Sequence, residues 1–379
     1  MAVEIRGEGR ITREGDSVSI YTSGNATLVR GIFQTNEDEW VGFALQGDTV
    51  LICNAKTNEL LAQVRTMQSS IAFAIGSTSE VNRALESYPA SNLIQGKQNV
   101  QLLTDKSVYV RPEICEFFEL SCPLLQRQIT GIGALVYKKS LLKEGKFYKI
   151  AGNVQNLEGY IYQKEKAKLD ESQPFRTQQC LASGTAFLGT TKRIITAGHC
   201  VTGGDVNIKD LLLVFGFALS ALNQSLERFP ENDVYELEKI IDYKLSENED
   251  WAVVELKKPV ANREISTRSK ETPKDKTPLY VMGHPIGLPI KTDFVARVKK
   301  EISKTNPHLF FTNLNTFGGN SGSPVFNLQT REIEGILVKG NKDFRKNEKG
   351  EIVFASYDAT HGGEGCTTIQ RVEQALRRP

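Results

Sequence analysis

Phe317-Gly318-Gly319-Asn320-Ser321-Gly322-Ser323-Pro324 is the stretch on which the reading of this 379-residue chain turns. A serine hydroxyl is a poor nucleophile until a base removes its proton and hydrogen-bond donors hold the oxyanion. Glycines beside the serine serve the second need. They let the backbone take a tight turn in which successive N–H groups point at one spot. The amides of Gly319 and Ser321 are the natural donors. Taken alone, the stretch reads equally well as a glycine-rich turn between two strands.

Two upstream stretches supply the partners that such a serine needs. In Ile194-Ile195-Thr196-Ala197-Gly198-His199-Cys200 an apolar strand ends in small residues and then a histidine. Small neighbours leave an imidazole room to reach a partner. In Asp250-Trp251-Ala252-Val253-Val254-Glu255-Leu256 an acid stands at the mouth of an otherwise apolar strand. A carboxylate there can accept the second imidazole N–H and fix the tautomer. Each stretch alone has a bland reading: a satisfied core histidine, or a turn aspartate. Together they stand in the order His, Asp, Ser, separated by 51 and 71 residues.

That order, with Thr-Ala-Gly-His-Cys and Gly-Asn-Ser-Gly-Ser-Pro, resembles the chymotrypsin-like serine peptidases, and among them the bacterial glutamyl-endopeptidase branch. The order differs from those of subtilisins and α/β-hydrolases. The resemblance covers roughly residues 177–378. It implies an all-β double β-barrel, with His199 and Asp250 from the first barrel, Ser321 from the second, and the site in the cleft between them. The roles it implies are nucleophile (Ser321), base (His199), orienting carboxylate (Asp250) and oxyanion hole (Gly319 and Ser321), with no cofactor and no metal.

The chain also departs from relatives. The trypsin subgroup keeps an aspartate just before the nucleophile to capture a new amino terminus; here it is Asn320. By resemblance, the substrate pocket is built by Asn315, Thr316, Leu337, Val338, Lys339 and Gly340. Trypsin-like enzymes place an aspartate where Asn315 stands, so that position gives no support for an arginine or lysine preference. Thr316 matches the glutamyl-endopeptidase pattern, but Leu337 stands where that branch has a histidine, and a buried substrate carboxylate would lack that donor. Relatives also bridge the cysteine after the catalytic histidine to one upstream, for which Cys180 is the candidate partner of Cys200. His284 reads as structural.

Outside these motifs, residues 184–356 read as many short apolar runs parted by polar or Gly/Pro-rich turns, a pattern of sandwiches or barrels. Thr368 to Arg378 reads as helix. Lys164 to Gln179, charged and containing Pro174, reads as a linker. The expected division is therefore a mixed α/β domain over 1–165 and a peptidase domain over 172–379. In the first, Asn25–Phe33, Trp40–Leu45, Thr49–Asn54 and Leu60–Thr66 read as strands. Helices are expected from Ser77 to Tyr88 and from Pro112, the latter carrying Cys115 and Cys122. Gly131-Ile132-Gly133 lacks the rest of a nucleotide-binding fingerprint.

The totals narrow the function. A net charge of +2 gives no electrostatic reason for a nucleic-acid or membrane partner. Six cysteines are too few for a disulfide scaffold in a chain of this length, and four scattered histidines disfavour a metal enzyme. The first residues lack the apolar core of a secretory signal, so a cytoplasmic protein is expected. The leading expectation is a serine endopeptidase acting on protein or peptide substrates. An inactive peptidase-shaped binding module is the alternative. The first half is expected to regulate or target the peptidase through a partner.

Overall fold

The structure, a computed structural model, describes residues 123–219, 226–299, 308–328, 330–355 and 363–378, together with the backbone of the strands between residues 2 and 74 and at 115–116. It divides into two compact units: Met1–Val110 with Glu119–Pro123, and Arg111–Phe118 with Leu124–Pro379.

In the first unit the described elements are strands. β1 (Ala2–Arg6), β4 (Leu28–Gln34), β5 (Trp40–Gln46), β6 (Thr49–Asn54) and β7 (Leu60–Arg65) form one antiparallel sheet in that order. β2 (Gly9–Glu14), β3 (Ser17–Thr22) and β8 (Ser70–Ala74) form another. The four strand runs read from sequence fall on β4 to β7. The helix expected over Ser77–Tyr88 lies outside the described residues. The helix expected from Pro112 is corrected: β9 (Cys115–Glu116) is a strand that pairs with Thr292 and Lys291. A short apolar cluster fits either period, and a sheet edge takes it here.

The second unit holds a closed barrel. Its strands are β10 (Ile132–Tyr137), β13 (Gly184–Leu188), β14 (Arg193–Thr196), β15 (Leu211–Phe215), β17 (Val234–Ser246) and β18 (Glu249–Leu256), in the closed order β10-β13-β14-β18-β17-β15. The strands look continuously apolar because both of their faces are covered. Along β15, Leu211, Leu213 and Phe215 pack inward with Leu135, Ile194 and Val254, while Leu212 and Val214 pack outward against Val136, Phe217 and Phe229. This two-residue alternation is what a strand demands. The outer cluster is closed over by a small sheet, β11 (Leu141–Glu144), β12 (Phe147–Ile150) and β16 (Arg228–Pro230). Gly131 and Gly133 serve packing: a Cβ would fall 1.9 Å from Glu264 O and 2.8 Å from Leu213 Cδ1 respectively.

The rest builds a seven-stranded sheet. Its strands are β19 (Pro278–Gly283), β20 (Lys291–Arg297), β21 (Leu309–Thr312), β22 (Pro324–Asn327), β23 (Ile333–Lys339) and β26 (Glu364–Thr368), ordered β21-β26-β23-β22-β19-β20-β9. A Val298–Thr312 bridge and the bond from Lys299 N to Phe311 O (2.9 Å) link its far sides. A hairpin of β24 (Phe344–Lys346) and β25 (Ile352–Phe354) lies outside it.

The linker reading of Lys164–Gln179 is corrected. A helix, Leu157–Glu165, is capped by Asn156, whose side chain accepts from Gly159 N. Leu157, Ile161 and Leu169 are buried with Ile286, Leu288, Phe317 and Phe344. The charges and Pro174 belong to the wet side of a docked segment. β10, which precedes this segment in the chain, is a strand of the closed barrel. Among the described residues no helix is long and apolar enough to cross a membrane.

Candidate active site

The turn after β14 makes the first half of the site. β14 ends at Thr196, and a short helix, His199–Thr202, starts three residues later. Gly198 lets this turn touch the neighbouring strands: a Cβ there would fall 2.3 Å from Lys244 O and 2.8 Å from Asp250 Oδ1. His199 Nδ1 then lies 2.6 Å from Asp250 Oδ2, and the His199 N–H donates to Asp250 Oδ1 at 3.1 Å. An ionised carboxylate only accepts, so Nδ1 carries the hydrogen, and in the neutral imidazole Nε2 is left as the acceptor. The Asp250 main chain is held in turn by Thr367, whose hydroxyl donates to Asp250 O (2.8 Å) and accepts from Asp250 N (3.1 Å). Burial works against charge on His199, but the bonded Asp250 carboxylate together with Cys200 outweighs it and raises the imidazole well above its ordinary value.

The Gly318–Ser323 turn makes the second half. Gly319 has φ +94° and Gly322 φ +87°, values that L side chains rarely adopt. Thr185 of β13 ties the turn to the barrel. Its hydroxyl donates to Gly319 O (3.0 Å) and its N–H to Ser321 O (2.9 Å). Ser321 O also lies 3.6 Å from Sγ of Cys200, the residue that follows His199. The structure thus brings the Ser321 backbone against the His199 turn. Among the described residues Ser321 Oγ makes no hydrogen bond, and neither do the Gly319 and Ser321 N–H groups. Nucleophile–base bonds are often long before substrate binds, and free amide N–H groups are what an oxyanion needs. Asn320 is buried and accepts from Ser323 Oγ at 3.5 Å.

Gly322→Ala tests this turn. A Cβ would fall 2.1 Å from Thr185 O and 2.3 Å from Thr196 Oγ1. We expect a stability loss of at least about 2 kcal/mol. Gly145→Ala, also at positive φ but with nothing within 4 Å, should lose only about 1 kcal/mol. Thermal unfolding of the two variants checks the difference.

The remaining expected residues are spread around the turn. Asn315 N donates to Asp293 Oδ2 at 2.7 Å. Leu337 packs its side chain into the sheet core with Leu279, Val281 and Val325, so it serves the site by its backbone, accepting from Gly322 N (2.7 Å). Lys339 is exposed, and its Nζ donates to Glu247 O (3.1 Å). A cavity of about 510 Å³ opens beside Asp250, lined by Ser246, Glu249, Phe311, Val338 and Lys339 among others. His284 is buried against Phe217 with Nδ1 3.0 Å from Leu288 O, and burial lowers it to about 3. It is a neutral structural residue. Cys180 and Cys200 carry free thiols and pack against different clusters. Among the described residues no group of three or more His, Cys, Asp or Glu is placed to hold a metal ion.

Sequence reading missed Glu364, the first residue of β26. It is buried, and the Thr316 hydroxyl donates to its Oε2 and Asn341 N to its Oε1 at 3.3 Å. Burial is the main cause that lifts its carboxyl to about 7, with Asp343 adding repulsion and the two donors opposing. A carboxyl raised in the folded state loses stability as pH rises from its unfolded value through about 7. Glu364→Gln should therefore be the more stable protein at pH 8, by an amount on the order of 3 kcal/mol, and gain little at pH 4. Melting curves at the two pH values check this.

Residues 182–336, which include His199, Asp250 and Ser321, match a family model described as the trypsin-like peptidase domain. No curated protein matches the chain. Solved structures similar to it include the VesB protease of Vibrio cholerae, 18% identical over 65% of this chain and 62% of that one, with a TM-score of 0.39. A serine endoprotease from Yersinia pestis is 13% identical over 67% of this chain and 65% of that one, with a TM-score of 0.37. In the first of these pairings the chain spans about three-fifths of its relative's length.

Proposed function

We propose that the protein is a serine endopeptidase working through Ser321, His199 and Asp250. The observation that carries the reading is the His199–Asp250 pair at 2.6 Å, with the Ser321 turn bonded to the strand and the turn beside it. Ser321 Oγ attacks the substrate carbonyl carbon while His199 Nε2 takes its proton. The Gly319 and Ser321 N–H groups receive the oxyanion. Collapse breaks the C–N bond, and the amine leaves with the proton from His199. Water, deprotonated by the same imidazole, then attacks the acyl-enzyme and releases the acid and Ser321. Asp250 holds the tautomer throughout.

In this reading the seven-stranded sheet, linked by the Val298–Thr312 bridge, acts as the second barrel. The cavity beside Asp250 takes the residues before the cut, and Asn315, Thr316, Val338, Lys339 and Gly340 surround the side chain next to it. The N-terminal sheets regulate or target the enzyme. An inactive binding module is the competing reading; it has no use for a carboxylate holding an imidazole tautomer. Incubation of the full chain with a mixed peptide library, followed by mass spectrometry, tests the reading. New termini are expected with wild type and none with His199→Ala. Equal cleavage by both, or none by wild type, overturns it.

A further inference from the structure

We propose that Glu364 forms the floor of the specificity pocket and selects a lysine or arginine side chain immediately before the cut bond. This rests on the peptidase reading above. The geometry comes from three segments that meet at one carboxylate. Thr316, five residues before Ser321, donates to Oε2, and Asn341, just past the end of β23, donates to Oε1. Between them, a Cβ on Gly340 would fall 2.2 Å from Oε2, so only glycine there leaves the carboxylate its place. Glu364 thus occupies the region that an aspartate at the Asn315 position would otherwise serve, but it arrives from a different strand.

The chemistry favours a cation. Both oxygens receive neutral donors, and among the described residues no lysine, arginine or histidine forms an ion pair with Glu364. Lys339 aims its Nζ at Glu247 O instead. Asp343 adds a second carboxylate close enough to repel it, and Asp343 is itself held by Gly318 N at 3.0 Å, three residues before the nucleophile. A buried carboxylate without a counter-charge is costly, and a guanidinium or ammonium bonded to it relieves that cost. An acidic substrate side chain would meet two like charges. An apolar one would leave the carboxylate buried and unpaired.

A purely structural Glu364, bracing the Thr316 and Asn341 segments, is the rival, and it would affect all substrates alike. The test therefore reads a ratio. We expect wild type to cut peptides with arginine or lysine before the bond at least about 100-fold better in kcat/KM than leucine or glutamate counterparts. Glu364→Gln should lose about 10- to 100-fold on the basic peptides and little on leucine. A wild-type preference for acidic or apolar residues, or an equal loss on all peptides, overturns the proposal. Binding of p-aminobenzamidine, followed by its fluorescence, reads the pocket without turnover. Ser321→Ala should bind it as wild type does, and Ser321→Ala with Glu364→Gln about 10- to 100-fold more weakly. Unchanged binding in the double variant overturns the proposal. Glu364-dependent binding by a wild type that cuts nothing would sink the peptidase reading, and with it the selection of a residue before a cut bond, leaving only a cation site at Glu364.

Discussion

Ser321→Ala is expected to lower peptide turnover by about 10⁴-fold or more while leaving the melting temperature within a degree or two of wild type. The size follows from what the hydroxyl does: without it no acyl-enzyme forms, and the residual rate comes from the oxyanion donors and binding alone. The small effect on stability follows from the structure. Ser321 enters the fold through its carbonyl, bonded to Thr185 N and beside Cys200 Sγ, and its hydroxyl bonds nothing among the described residues. Alanine keeps the carbonyl and removes no buried partner. A rate unchanged by this substitution would end the assignment.

Asp250→Asn is expected to lower kcat by about 10⁴-fold, a size taken over from serine-peptidase triads in general. An asparagine side chain fits the same space but can offer an N–H to the imidazole. That turns the hydrogen to Nε2, where a base must be bare. The same change removes the carboxylate that raises His199, so the imidazole should titrate nearer its ordinary value. The sign of the linkage follows. With a raised folded pKa, the pair stabilises the protein fully below the unfolded imidazole value and loses that contribution as pH rises through the folded one. Wild type should therefore gain over Asp250→Asn on the acid side and converge with it at alkaline pH. NMR titration of His199 and rate measurements on the same samples check both parts.

How far the sequence carried the fold depends on how local each signal was. β13, β14 and β21 begin and end where their apolar runs do, because each run is flanked by small or polar residues. The His199 and Ser321 turns were legible because their glycines answer to local geometry: Gly198 to a close approach, Gly319 and Gly322 to positive φ. β26 was not. Glu-Gly-Cys-Thr-Thr has little apolar content, and it becomes a strand because β21 and β23 flank it on both sides. With the strand went Glu364, whose meeting with Thr316 spans 48 residues and no motif. The 164–179 segment misled for the opposite reason. Its charges dominate its composition, while the contact that fixes it is Leu169 in a remote cluster. The place of β10 in the barrel likewise depends on pairing with β13 and β15, far along the chain.

Labelling with a fluorophosphonate probe tests the central claim most directly, on full-length wild type beside Ser321→Ala. A single adduct on wild type, mapped to Ser321 by mass spectrometry and absent from Ser321→Ala, is the predicted result. No adduct on wild type, or one that persists in Ser321→Ala, would contradict an activated serine at this position.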